Sequence, residues 1–202
     1  MQLLDQFEKG KLEAGCDEAG RGCLAGPVVC AAVILPPFFF HPFLNDSKQV
    51  SEKKRKELRL IIEKEALSFA VEFIFPDEIA QLNILKASLT GMYRATKKLT
   101  TKPDLALIDG NKVFLEHDIR SVAVIKGDSK YKNIAAASIL AKTYRDEYME
   151  TLHNDFPEYG WNVNKGYPTK IHRNAIHQYG ATIHHRLGFN LLGNSQLTLF
   201  VD

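Results

Sequence analysis

Four acidic residues carry the chemistry this chain could perform. Asp17 and Glu18 are adjacent at the end of a small-residue segment, and Gly20-Arg21-Gly22 follows them. Asp109 precedes Gly110, and Asp128 follows Gly127. Each acid lies at or just after the end of a segment that reads as a β-strand. If those ends meet, four negative charges share one small site. Such a cluster raises its own carboxyl pKa values and destabilises the fold. Hard divalent cations, Mg²⁺ or Mn²⁺, relieve the repulsion because they choose oxygen ligands. Two such ions about 4 Å apart can activate a water and stabilise the leaving oxygen of an in-line attack on a phosphodiester. The residues alone also allow four unrelated acids, one capping a helix and three on the surface.

The turn beside the first pair has its own logic. Side chains alternate along a strand, so Asp17 and Glu18 point the same way only if the strand stops there. The glycines are expected to make that stop. Gly20 and Gly22 can take positive φ and put no Cβ in the way of a ligand. The turn would present backbone amides and Arg21 to something negative, right beside two acids.

The positioning elements follow from hydrophobic pattern and punctuation. Leu12–Cys16 and Val28–Leu35 read as strands, with a short turn between them that suggests an antiparallel pair. The loop 37–42, with three phenylalanines, is expected to cover one end of the core. Ser51 is a plausible N-cap for a helix over 52–66, whose first turn crowds Lys53, Lys54, Arg55 and Lys56. Cations there oppose the helix dipole, so that end is either a solvated surface or faces phosphate. Ser68–Phe75 reads as a third strand. Pro76 opens a helix to about Lys98, with Ile79, Leu82, Leu85, Leu89 and Met92 at spacings of three and four. Residues 105–110 are apolar on both faces and imply a central strand with Asp109 at its carboxyl end, where open α/β sheets bind ligands. Ser121–Ile125 is a similar strand leading to Asp128. A long helix from about Lys132 to Asn154 starts with small residues that permit close approach to the sheet. A loop, a helix near 169–180 and a tail close the chain.

Asp17-Glu18-Ala19-Gly20-Arg21-Gly22, with Ala25-Gly26-Pro27-Val28, resembles the signature of ribonuclease HII, the type 2 ribonuclease H family. The resemblance covers roughly residues 12–190. It implies an α/β, ribonuclease H-like fold: a mixed sheet flanked by helices, with a helical C-terminal part completing a substrate groove. The domain would be 1–190, followed by a tail, 191–202. The family's four catalytic, metal-holding acids map to Asp17, Glu18, Asp109 and Asp128, and none is replaced. Its Gly-Arg-Gly, here Gly20, Arg21 and Gly22, senses the ribonucleotide 2′-OH and nearby phosphates. The 2′-OH is the group by which a protein tells RNA from DNA. Asn164–His172 resembles the family's Gly-Tyr…Thr…His segment, which gives Tyr167 the role of stacking at the RNA-to-DNA junction and makes Thr169 a helix cap. Lys48, within a matching Asp46-Ser47-Lys48, and Lys130, Ser138, Lys142 and His172 also match family positions, as phosphate or structural contacts. The implied activity is cleavage of RNA in RNA–DNA hybrids and incision 5′ to ribonucleotides embedded in duplex DNA, with Mn²⁺ or Mg²⁺, by a monomer.

Two other readings differ in kind. A ribonuclease HIII-like nuclease usually has an extra N-terminal substrate-binding domain and lacks the arginine in its glycine turn; here Arg21 is present and the catalytic strand lies near the start. A non-catalytic nucleic-acid binder would gain nothing from four acids facing phosphates. The tail segment Gln196-Leu197-Thr198-Leu199-Phe200 resembles the pentapeptide with which bacterial proteins bind the replication sliding clamp, with Gln196 as the hydrogen-bonding anchor and Leu197, Leu199 and Phe200 for apolar pockets. A β-extension packed on the core is the plainer alternative.

Composition bounds the rest. The 202 residues, 45% hydrophobic, suffice for one domain with a full core. A net charge of +2 means that any basic surface is local. The first fifteen residues lack the apolar core of a signal peptide, and the run 28–40 is broken by Pro36-Pro37 and too short to span a bilayer. Cys16, Cys23 and Cys30 have no paired spacing and suggest reduced, packed thiols in the cytoplasm. His172 and His177, five apart on a helix, are expected not to face together, and His184-His185 are adjacent in a loop.

Overall fold

The strand Val28–Ile34 (β2) is apolar on both faces, and all seven of its residues are buried. Such a strand must lie inside a sheet covered on both sides. In the computed structural model, which describes residues 3–44, 50–116 and 118–193, it does. Lys48 and the tail residues Gln196, Leu197, Leu199 and Phe200 lie outside the described residues. The sheet has five strands in the order β3-β2-β1-β4-β5. β1 (Glu13–Ala19) is central, antiparallel to β2 and parallel to β4 (Leu105–Asp109). β3 (Ser68–Ile74) pairs antiparallel with β2, and β5 (Ser121–Val124) parallel with β4. This is the mixed sheet flanked by helices that the sequence implied. β5, however, is an edge strand with three of its four residues only half-buried, so its apolar run does not mark a central position.

One face of the sheet packs on α1 (Glu52–Glu65) and α4 (Lys132–Asp155), the other on α2 (Pro76–Leu82) and α3 (Ile84–Lys97). The expected single helix over 76–98 is two. Asn83 stands between them at φ 65°, and its side chain accepts from the Leu85 and Lys86 amides, ending α2 and capping α3 in one residue. A spacing of threes and fours carries across that break, which is why periodicity alone joins the two helices. Ser51 precedes α1 without a side-chain cap. In the loop 37–42 only Phe39 is buried; Phe38 and Phe40 are exposed, so the three phenylalanines do not jointly cover the core.

The basic first turn of α1 is engaged inside the protein. Lys54 lies 3.7 Å over the Phe43 ring, Arg55 is 3.8 Å from Asp146, and Lys56 is 2.9 Å from Glu52. A third apolar cluster joins Leu24 and Ala25 to Met149 at the end of α4, to Trp161 of α5 (Trp161–Asn164) and to Ile176 of α6 (Lys170–Tyr179). It fastens the helical C-terminal part onto the glycine turn.

α4 runs beside β1 at a separation that only glycine permits. A Cβ on Gly15 would fall 2.1 Å from the Asn133 carbonyl carbon. Asn133 bridges the strands, donating to the Glu13 carbonyl at 2.7 Å and accepting from the Leu35 amide at 3.1 Å. Among the described residues, no helix is long and apolar enough to cross a membrane.

Candidate active site

Three parallel strands, β1, β4 and β5, end on the same side of the sheet, and three carboxylates meet there. Cys16 pairs with Ile108, so the register places Asp17 beside Asp109 one step further on. Asp109 pairs with Val124, after which Lys126 takes a left-handed φ of 55° and a short 3₁₀ turn, Gly127–Ser129, delivers Asp128. Asp17, Asp109 and Asp128 each offer an oxygen within 4.8 Å of the others. Asp17 and Asp128 are buried. The Asp109 carboxylate accepts from the Gly127 amide at 2.7 Å, which ties β4 to the turn bearing Asp128. Asp17 accepts from the Glu18 amide at 2.7 Å and from Ser138 on α4. Burial, reinforced by the charges of Glu18 and Asp109, still holds the Asp17 carboxyl well above the usual aspartate range.

Glu18 departs from the expectation. The strand does not stop at the acid pair but continues to Ala19, so alternation sends Asp17 and Glu18 to opposite faces. Asp17 faces Ser138 and α4. Glu18 turns toward α3 and lines a small cleft with Asp109, Gly110, Ser88 and Met92, with its carboxylate 3.2 Å from Arg21. Asp109 thus stands between the two. Cys16, on the Glu18 face, points into the core against Thr96, and burial pushes its thiol up to about 12.

The glycine turn is anchored from behind. Gly20 has φ 93°, and a Cβ there would strike the Arg145 guanidinium at 2.0 Å. Gly22 does not use positive φ; instead, open space surrounds the position of its missing Cβ. The Arg21 side chain is half-exposed.

Tyr167 lies across the turn's exit. The Leu24 amide donates to the Gly166 carbonyl at 2.8 Å. The ring is partly exposed, near the Lys142 ammonium (5.6 Å) and the Arg145 guanidinium (5.7 Å). Lys142 is itself 2.7 Å from Asp146. Thr169 caps α6 by accepting from the His172 amide at 3.2 Å. Lys130 is exposed beyond the 3₁₀ turn.

His172 meets His185, a pair the spacing along the chain does not announce. The Nε2 atoms of His172 and His185 are 3.2 Å apart. The Thr182 amide donates to His185 Nδ1, so His185 carries its proton on Nε2 and donates it to His172 Nε2, which also accepts from Trp161 Nε1. His172 then donates from Nδ1 to the Tyr167 carbonyl at 3.0 Å. Both rings must be neutral. Burial lowers His172 and, with the neighbouring histidines, lowers His185 to about 4. Between pH 6.5 and about 4 the unfolded chain therefore binds protons the native state refuses, and stability falls as pH falls. The expected loss is on the order of 2 kcal/mol. A urea midpoint that stays constant between pH 7 and 5 would contradict this.

The profile of the family described as "Ribonuclease HII" matches residues 14–191. The chain belongs to the ribonuclease HII family. A ribonuclease HII of Bacteroides thetaiotaomicron is 58% identical over 197 residues, covering 98% of each chain. The crystal structure of the ribonuclease H2 from Pyrococcus horikoshii has a TM-score of 0.75 at 26% identity, covering 89% of this chain and 94% of that one. The Archaeoglobus fulgidus protein of a "PCNA:RNase HII complex" has a TM-score of 0.69 at 27% identity, covering 87% and 94%. Membership makes the protein an enzyme, an endonuclease of the ribonuclease H type, with a ribonuclease H-like fold.

The carboxylate cluster suits a divalent metal. Its donors are all oxygens, and at least one is buried under electrostatic strain that a cation would relieve. Buried Glu13 makes the contrast: its carboxylate accepts from the Phe7 and Glu8 amides and needs no cation. Reading the sequence missed Arg145 and Arg186, both buried, which hold carbonyls of the segment 21–27. Nothing in their spacing signals it, since their partners lie more than a hundred residues away. Ser138, by contrast, lies against Asp17, and Lys142 lies near the Tyr167 ring.

Proposed function

We propose that the protein hydrolyses the RNA strand of RNA–DNA hybrids and incises 5′ to ribonucleotides embedded in duplex DNA, leaving a 3′-hydroxyl and a 5′-phosphate. The observation that carries this reading is the convergence of Asp17, Asp109 and Asp128 beside an open Gly-Arg-Gly turn. Asp17, Glu18, Asp109 and Asp128 hold Mg²⁺ or Mn²⁺. Bound there, the metal supplies Lewis-acid stabilisation of the leaving oxygen and a more acidic water. Ser138 keeps Asp17 oriented, and the Gly127 amide does the same for Asp109. Gly20, Arg21 and Gly22 read the 2′-OH and the adjoining phosphates, and the Tyr167 ring stacks on the sugar at the junction. Lys142 and, by resemblance, Lys48 add positive charge along the backbone path. Arg21 separates this reading from a ribonuclease HIII-like one, and the acids separate it from a passive binder. Buried, unpaired thiols suit a reducing cytoplasm.

The test is incubation of duplex DNA containing one ribonucleotide with protein and Mg²⁺ or Mn²⁺, followed by mapping of the cut. A nick immediately 5′ to the ribonucleotide, abolished by chelation, is expected. A cut elsewhere, or one that survives chelation, rejects the reading. The pentapeptide 196–200 is proposed as a sliding-clamp contact, supported by its pattern and by the Archaeoglobus relative's capture with PCNA. Deleting 196–202 should abolish clamp binding while cleavage of short oligonucleotides persists; undiminished clamp affinity would refute it.

A further inference from the structure

Two buried arginines stand behind the glycine turn, and neither is within ion-pair distance of a carboxylate among the described residues. Arg145 donates to the carbonyls of Pro27 (3.0 Å), Lys165 (2.8 Å) and Ala25 (3.1 Å). Arg186 donates from Nε to Gly26 O at 2.9 Å and from Nη1 to Arg21 O at 3.1 Å, and its own amide donates to Leu24 O at 2.8 Å. Nη2 of Arg186 is buried without a partner among the described residues. Desolvation and the nearby Arg145 charge lower the Arg186 guanidinium to about 10. Keeping a charge buried there without a carboxylate partner is costly. What the fork secures is therefore informative.

The decisive contact is the one to Arg21 O. A trans peptide is planar, with its C=O and N–H on opposite sides. Drawing the Arg21 carbonyl inward onto Arg186 turns the N–H of the same peptide, that of Gly22, outward. That N–H donates to no group among the described residues, and nothing lies within 4 Å of where a Gly22 Cβ would be. The Gly22 N–H is thus a fixed donor turned to solvent. The same segment is stitched to the tyrosine arm, because the Leu24 amide donates to the Gly166 carbonyl at 2.8 Å.

We propose that Arg186 is a positioning residue for substrate choice: by holding the Arg21 carbonyl it aims the Gly22 N–H at an acceptor oxygen of the ribonucleotide and keeps the turn in register with Tyr167. This rests on the cleavage reading above. Lysine retains the charge but lacks a planar fork that can serve Arg21 O and Gly26 O together. A single ribonucleotide offers one chance of contact with the turn, whereas a long hybrid offers several registers.

The experiment compares single-turnover cleavage of two duplexes, one with a single ribonucleotide and one with an all-RNA strand, by wild type and Arg186→Lys. The ratio of the two rates should fall by about tenfold in the variant, one aimed hydrogen bond's worth. A folded variant with an unchanged ratio, or with both rates reduced equally, overturns the assignment. Replacing the Gly22 amide by an ester, which deletes that N–H and weakens the Arg21 carbonyl as an acceptor for Arg186, tests both ends of the same peptide should the lysine variant not fold. The ester must reproduce the fall in ratio, and an unaltered ratio again overturns the proposal. Failure of wild type to cut either duplex would instead refute the cleavage reading.

Discussion

Asp17→Asn is expected to lose Mg²⁺-dependent cleavage by about a thousandfold or more and, without metal, to melt at a higher temperature than wild type. Both effects have one cause. Asp17 is buried beside Glu18 and Asp109, and its carboxyl is held above the ordinary value of 3.8. A raised carboxyl pKa costs nothing in acid, where the group is protonated in both states. The cost grows as pH rises above 3.8 and is complete once the folded-state value is passed. The asparagine removes that cost while its side-chain carbonyl can still accept from the Glu18 amide and Ser138. The gain without metal should be on the order of 1–2 kcal/mol. Added Mg²⁺ should then raise the melting temperature of wild type and leave the variant's unmoved. Calorimetry with and without the ion measures this independently of turnover. A variant that retains turnover, or a metal-free variant less stable than wild type, would refute the shared-site account.

Gly15→Ala should be the most damaging single methyl group in the molecule, costing about 3 kcal/mol or more. The new Cβ would lie 2.1 Å from the Asn133 carbonyl carbon and 2.2 Å from the Ile134 nitrogen, and backbone cannot swing aside as a side chain can. To relieve the overlap α4 must move off β1. That movement carries Ser138 away from Asp17 and loosens the Asn133 bridge between Glu13 and Leu35. Denaturant titration gives the stability loss. If the protein folds at low temperature, weaker Mg²⁺ binding, read by the metal-induced rise in melting temperature, marks the displaced helix. A loss below about 1 kcal/mol would mean the helix adapts at no more than ordinary cost.

What the sequence disclosed, and what it hid, divides along the range of the forces involved. The strands around Val29 and Leu107 were legible because burial on two faces leaves a local record, a run of apolar residues. The acids at 17, 109 and 128 stood out because each lies at or just after a strand-like segment and near a glycine. The direction of Glu18 was not, because it depends on whether β1 continues past its neighbour β4, and pairing with Val29 carries it on to Ala19. The break at Asn83 was hidden because the apolar spacing runs through it. The His172–His185 pair and the arginine fork were hidden for a different reason. Their partners are carbonyls and rings brought in by distant segments, and a backbone carbonyl has no letter in a sequence.

The central strand also has a history during synthesis. β1 and β2 can pair as soon as both have left the ribosome, but the parallel partner β4 follows about ninety residues behind β1. At ordinary translation rates of about 5–20 residues per second, the far edge of β1 waits roughly 5–20 s for that partner. An uncovered edge of that kind is a template for mispairing with another chain. β1 carries Glu13, Asp17 and Glu18 among its seven residues, and charge on an exposed edge discourages such pairing. Asp17, strained in the finished protein, thus belongs to a set of charges that oppose edge pairing before β4 arrives.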